Sequence, residues 1–400
     1  MKVKQIPDDF VVDEKSSIRA TNEGRFSVYR LKKNGLGTLE ALRAISRAWK
    51  VPSRALGFGG LKDRYAVTTQ WVTLQNGPRK NLDNKAFRLT YEGKSDVPMS
   101  RMILEGNGFR IRLRDLSRDE ADRVTARFAV VAKEGLPSYF DEQRFGSLRG
   151  GGGFAALHLL KGDPESALRA VIGCPSREDR AHVRERKRRI RAHWGEFEGL
   201  PEVLEGTPMR APVLHFVQHP GDWLGAFAML DREERRLFTS AYASSVWNRA
   251  VSTLLGTKIP PADRLVFEGV AGPLVFPRLP VGPSVSKSLH PLATTVMPLP
   301  APTAKAEDPE MQTALEASLA LDGLKLADMR LDKRLGMDFR PTKRDVVFRP
   351  TESSVSGPHP DELNPGRLRV DLAFTLARGL YATIILKFLT HDVPGPKSFK

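Results

Sequence analysis

The chain has 400 residues, with 63 lysines and arginines against 47 acids and a formal charge of +16, and it is 40% hydrophobic and 28% charged. That is the make-up of a globular protein of two domains, and the basic excess points to a polyanionic partner, nucleic acid first. No run of about 18 apolar residues exists and the amino terminus, MKVKQIPDDFVVDE, lacks the apolar core of a signal peptide, which argues against a membrane span or export and for the cytoplasm, while the single cysteine, Cys174, excludes an intrachain disulfide and a cysteine zinc cluster.

Residues 1–37 read as strands and turns: Phe10-Val11-Val12 is a short apolar run, and Phe26–Leu31 alternates ahead of the Asn34-Gly35 turn signal. Thr38 suits a helix N-cap, Leu39, Leu42, Ile45 and Trp49 keep helical spacing, and Pro52 follows, so a helix is predicted over 39–49. Next comes Gly57–Leu74, GFGGLKDRYAVTTQWVTL, in which a glycine-dense bend delivers Lys62-Asp63-Arg64 to a β-branched strand. Two readings stay open for that triplet from its residues alone. It is either a carboxylate kept ionised by flanking cations at the mouth of a rigid strand, or a solvated surface turn.

Further strands are predicted at Phe87–Tyr91, Arg101–Leu104 and Phe109–Leu113. In the last, Phe109, Ile111 and Leu113 alternate with Arg110, Arg112 and Arg114, a pattern that suits a sheet lying on RNA and equally a solvated outer face. A helix over Asp119–Lys133 leads to Tyr139-Phe140, and Gly146–Gly153 reads as a flexible junction because no Lys-Ser or Lys-Thr pair makes it a P-loop. Residues 154–239 are helical in pattern and include the run Arg184–Arg191, six cations in eight residues, either a solvated helix face or a phosphate track. His215 and His219 are spaced i, i+4 but lack a third ligand, so no metal is expected. Arg236–Leu255 is another helix. Eleven of the 29 prolines fall between Pro260 and Pro309, which predicts loops and short strands. A helix at Met311–Leu321, a strand at Arg367–Leu376 and a strand or helix at Tyr381–Phe388 complete the chain.

Leu61–Trp71, LKDRYAVTTQW, resembles the signature of the TruD family of RNA pseudouridine synthases. Pro7–Val12 resembles that family's amino-terminal box, and Tyr139-Phe140 with Gln143–Gly146 its Tyr-Phe-x-x-Gln-Arg-Phe-Gly box. Ser244 with Trp247-Asn248 resembles its Ser-x-x-Phe/Trp-Asn helix, and Gly379–Thr383 its carboxy-terminal Gly-Ser-Phe/Tyr-Ala-Thr strand. Ordered matches from residue 7 to residue 383 make the likeness specific where any single one would be weak.

The resemblance implies an α+β fold, a pseudouridine-synthase-like mixed, largely antiparallel sheet flanked by helices and split by an inserted TRUD α/β domain, with catalytic parts at 1–146 and 345–400 and the insertion at 147–344. It implies that Asp63 is the catalytic carboxylate, acting on ribose or base, and that a cation, Lys62, Arg64 or Lys4, keeps it ionised. Phe10, Phe140 and Tyr381 would line a pocket for the unstacked uracil, with Lys4, Lys62, Ser138, Arg144 and Asn248 as further substrate contacts. Ser138 stands where the family has an asparagine, which alters the donors offered to the base. The implied reaction is isomerisation of uridine, most specifically uridine 13 of tRNA, by a monomer without cofactor or metal. The alternatives are another RNA site, an RNA-binding protein that keeps the fold, and a carboxylate hydrolase, the last disfavoured by the charge.

Overall fold

A computed structural model describes residues 1–176, 178–278, 282, 286–287 and 289–395. Packing divides the chain into two compact units, Met1–Leu136 with Arg349–Lys400, and Pro137–Phe348. Tyr139 and Phe140 pack with Phe276 and Trp247 inside the second unit.

The first unit is a ten-stranded sheet. Its strands are β1 (Lys2–Val3), β2 (Phe10–Ser16), β3 (Phe26–Asn34), β4 (Leu56–Phe58), β5 (Val67–Gln75), β6 (Leu82–Asp83), β7 (Phe87–Ser95), β8 (Leu104–Leu116), β9 (Thr351–Pro360) and β10 (Leu368–Ala377). They run in the order β9-β10-β8-β2-β5-β3-β7-β6, with β1 on β8 and β4 on β5. Only β2 and β5 run parallel, at the centre; the other pairs named are antiparallel. Helix α1 (Thr38–Trp49) buries Leu42 and Ile45 against Tyr29, Leu31, Val72 and Leu89. Helix α2 (Arg118–Glu134) opens with a capping box, Ser117 accepting from the Glu120 N–H at 3.2 Å while Glu120 accepts from the Ser117 N–H at 2.7 Å. It sets Phe128 against Phe374 of β10, ring centroids 5.8 Å apart.

Cross-strand partners share a face and neighbours along a strand alternate. Phe374, Phe109, Val12, Thr68, Lys33 and Phe87 therefore form one row on the face that carries α1 and α2. Arg110 and Arg112 point to the other face.

Several expectations change. Thr38 is not the N-cap of α1, since Gly37 holds that position and Thr38 is the first helical residue. Arg101–Ile103 is a 3-10 turn, and the strand starts at Leu104 and continues through Leu116. The Gly379–Thr383 box is no strand: Tyr381 begins the helix Ala382–Leu389. Gly146–Gly153 is no flexible junction either, because a Cβ at Gly150 would lie 2.5 Å from the Cys174 carbonyl oxygen and one at Gly152 2.6 Å from the Ala170 Cα, so glycine is what lets this segment lie against its neighbour.

The second unit is built of helices with short strand pairs. Helix α3 (Ala181–Ala192) carries the basic run, and helix α4 (Arg232–Lys258) buries Tyr242, Trp247 and Asn248. Arg264–Gly269 and Gly272–Pro277 form a hairpin within the proline-rich stretch, of which Pro280 and Pro283 lie outside the described residues. Among the described residues no helix is long and apolar enough to cross a membrane.

A candidate active site around Asp63

The loop between β4 and β5 is held from three sides. Gly57 lies so close to Met99 that a Cβ would fall 2.8 Å from the Met99 carbonyl oxygen. The Thr38 hydroxyl accepts from the Lys62 N–H at 2.9 Å and donates to Gln70 Oε1 at 2.9 Å, tying the loop to both α1 and β5. Ala66 and Val67 then enter the core. A capping residue by its chemistry, Thr38 has been diverted to positioning the loop.

Asp63 stands at the end of this clamp. Its Oδ1 accepts from the Tyr65 N–H at 3.0 Å, and Oδ2 takes an ion pair from Lys4. Lys4 holds a positive φ of 57°, rarely adopted by lysine, and its Nζ lies 4.4 Å from the Phe10 ring centroid. Lys33, fully buried on β3, donates from Nζ to the Asp63 carbonyl oxygen at 2.7 Å. Burial pushes the Asp63 carboxyl up, but the Lys4 bond and charge, the Tyr65 N–H and the Lys33 charge outweigh it, and the net shift is below the ordinary aspartate range. Burial pushes the Lys33 ammonium down to about 8 against the opposing pull of Asp63. The carboxylate is thus ionised at neutral pH beside two lysines.

Those lysines are not the adjacent ones. Lys62 turns to buried Glu14, 2.7 Å from Oε1, and donates to Asn107 Oδ1 at 2.8 Å. Arg64 pairs with Glu40 at 3.2 Å. Phe10 is buried beside Lys4 and meets Phe109 edge-on at 6.2 Å. Tyr381, half-buried, also belongs to this unit.

The other expected residues gather in the second unit. Asn248 on α4 accepts from the Phe140 N–H at 2.9 Å and donates to the Phe140 carbonyl at 2.8 Å, so its amide fixes Phe140. The buried Phe140 ring lies 4.0 Å beneath the Arg344 guanidinium and edge-on to Trp247. Arg144 donates to Ser240 and, at 3.3 Å, to Ser244. Ser138 is fully buried, its carbonyl accepts from Arg344 at 2.6 Å, and its hydroxyl has no hydrogen-bond partner among the described residues.

The arginine alternation of β8 does not make an RNA surface beside Asp63. Arg110 and Arg112 lie on the face opposite Lys33, paired with Asp13 at 3.3 Å and with Asp371. Arg114 is fully buried, 2.7 Å from Asp9, 2.7 Å from Asp361 and 2.9 Å from Glu362. A β-bulge on β8, where Arg114 and Asp115 stand opposite the single Arg369 of the partner strand, and a positive φ at Asp115 end the alternation there.

Residues 1–389 match the family model described as tRNA pseudouridine synthase D (TruD). Among curated proteins, the "Probable tRNA pseudouridine synthase D 1" of Methanococcus maripaludis is 30% identical over 396 residues, covering 97% of this chain and 98% of that protein. The tRNA pseudouridine synthase D of Leptospira interrogans is 27% identical over 400 residues, covering 97% and 95%. Among solved structures, that of the "Putative tRNA pseudouridine synthase D (TruD)" of Methanosarcina mazei is similar with a TM-score of 0.70 at 25% identity, covering 96% of this chain and 92% of the other.

Proposed function

Since the chain belongs to the TruD family of tRNA pseudouridine synthases, we propose that it is an intramolecular isomerase that converts uridine 13 of tRNA to pseudouridine with Asp63 as its catalytic carboxylate. The reaction breaks the bond from ribose C1′ to uracil N1 and makes one from C1′ to C5; the C5 proton leaves for solvent and N1 takes one up, so the product is an isomer of the substrate. It needs no redox partner and no external energy source. An ionised carboxylate serves whether it acts on the ribose or on the base.

The observation that carries the reading is the ion pair of Asp63 with Lys4 inside the family's Lys-Asp-Arg box, which keeps a partly open carboxylate ionised. Lys33 fixes the backbone of the same residue, and Thr38 fixes that of Lys62, so the nucleophile's approach is set before substrate arrives. Lys62 and Glu14 act as positioning residues beneath it. Phe10, Phe140 and Tyr381 are the proposed aromatic contacts to the unstacked base, worth about 1–3 kcal/mol per stacked base. Ser138, Arg144 and Asn248 support Phe140. The catalytic parts are then Met1–Leu136 and Arg349–Lys400, with Pro137–Phe348 as the insertion, and the protein works as a monomer in the cytoplasm.

Mapping pseudouridines in total RNA from cells with and without the gene tests this. Loss of pseudouridine at tRNA position 13 alone is expected; an unchanged map overturns the activity, and loss at a different position overturns the site.

A further inference from the structure

The second unit contains a cavity of about 410 Å³ that, Arg144 apart, no step above uses, and whose lining includes Arg144, Cys174, Asp179, Lys187, Glu234 and Phe238. Its volume lies in the range of small-ligand sites, about 300–1,000 Å³, and like them it combines an apolar floor with a few convergent polar groups. Glu178 also lines it, so that among the described residues three acids and two cations line the cavity. Helix α3 divides its cations accordingly. Lys187 turns inward and pairs with Asp179 at 3.1 Å, its side chain only 15% exposed, whereas Arg188 and Arg189 are more than half exposed outside. Burial, and then the Asp231 charge, hold the Glu234 carboxyl above the ordinary glutamate range, which eases the desolvation a neutral ligand would impose on it.

We propose that this cavity takes one unstacked guanine of the RNA, whose backbone phosphates run along the outer face of α3. The inference rests on the reading of the substrate as RNA. Guanine presents paired N–H donors that a carboxylate such as Glu234 accepts, and O6 and N7 acceptors that suit Lys187 and Arg144. Adenine reverses the donor and acceptor at the six-position, and a phosphate is repelled by the carboxylates of Glu178, Asp179 and Glu234.

Cys174 is the only thiol in the chain and lines the cavity, so it reports occupancy directly. The full-length protein is alkylated with uncharged N-ethylmaleimide while pseudouridine formation is followed in the same samples. With tRNA at about ten times its Kd, labelling should slow about tenfold, as site occupancy dictates. Millimolar guanosine should slow it too, and uridine and inorganic phosphate should not. Pseudouridine formation with Cys174 labelled at its free rate overturns the cavity assignment, and protection by phosphate equal to that by guanosine overturns the base assignment. Absence of pseudouridine overturns the activity instead, whatever the thiol reports. Glu234→Gln should raise KM for tRNA about tenfold at unchanged kcat, the loss of one good base contact. If that variant melts early, Lys187→Gln decides by the same split, and an unchanged KM there overturns the proposal.

Discussion

In the first unit Asp63 meets two lysines, Lys4 at its carboxylate and Lys33 at its backbone carbonyl, whereas Arg114 meets three carboxylates, those of Asp9, Asp361 and Glu362. Both groups join distant parts of the chain through buried charge. They differ in which sign is in excess and in how far water reaches. The Asp63 side chain is 29% exposed, while those of Arg114, Asp9 and Asp361 are fully buried. An excess of lysine around one partly open acid leaves a carboxylate that is ionised and within reach of a substrate. An excess of acid around one arginine closes on itself and ties β8 to the amino-terminal turn and to the segment before β10. Lysine, moreover, can lose its proton near neutral pH when buried, and arginine cannot.

The contrast is broken most directly at its two centres. Asp63→Asn should abolish isomerisation, by several orders of magnitude in single-turnover assays with tritiated uridine RNA, with RNA affinity within a few-fold and the melting temperature unchanged. Residual activity above about one per cent of wild type would remove Asp63 from its role. Arg114→Met should do the reverse. It strands buried carboxylates and should cost about 3–5 kcal/mol by denaturant titration, with kcat per folded molecule retained.

The acid arm of the Arg114 cluster sharpens the same difference. Burial pushes the Asp361 carboxyl up, but the N–H groups of Asp115 and Leu363, with Asn364 and Arg114, bring it to about 2. A carboxyl whose folded value lies below its unfolded one, about 3.9, stabilises the fold above that unfolded value. The stabilisation should fade as pH falls from about 4 to about 2, and in Arg114→Met the acid limb of the stability curve should be shallower.

For Lys33 the sign is opposite. Its folded value, about 8, lies below that of an unfolded lysine, so between about 8 and 10.4 the unfolded chain binds the extra proton and this group makes stability rise with pH. Activity should nevertheless fall above about pH 8, as the charge beside Asp63 is lost, and Lys33→Arg should shift that limb upward if it retains activity at neutral pH. A limb that Lys33→Arg leaves in place would assign it to another group.

The smallest effect concerns α3. Replacing Arg186, Arg188 and Arg189 with Gln should reduce the slope of log affinity against log salt by roughly 2, at 0.7–0.9 per phosphate contact. An unchanged slope returns these arginines to a solvated helix face.

Much of this was legible in the sequence where a pattern was local. The strand after Asp63 and helix α1 needed only spacing and composition, and the ordered boxes needed the resemblance to a family. Even Glu14 and Lys33 were within reach: with Phe10 and Val12 facing inward, a period of two puts Glu14 inside, and with Tyr29 and Leu31 inside it does the same for Lys33. What escaped depends on partners far along the chain. Arg114 continued the arginine alternation of β8 and differs from Arg110 because a bulge, Asp9 and two acids more than 240 residues away receive it. Lys62 and Arg64 flank Asp63 in sequence but answer to Glu14 and Glu40, which adjacency does not reveal. Thr38 had the chemistry of a cap and was used for another orphan N–H, that of Lys62.

The first unit is assembled from both sides of the second, and β10 inserts between β9 and β8. During biosynthesis β8 is therefore made with one hydrogen-bonding edge waiting for a strand that emerges only after Pro137–Phe348. At about 5–20 residues per second the delay before β10 is roughly 13–50 s, ample for the contiguous second unit to fold first. Over that interval the open edge of β8 is a nascent-chain liability, and Asn107, Arg110, Arg112 and Arg114 place polar and charged side chains along it, a pattern that discourages pairing with a neighbour's strand.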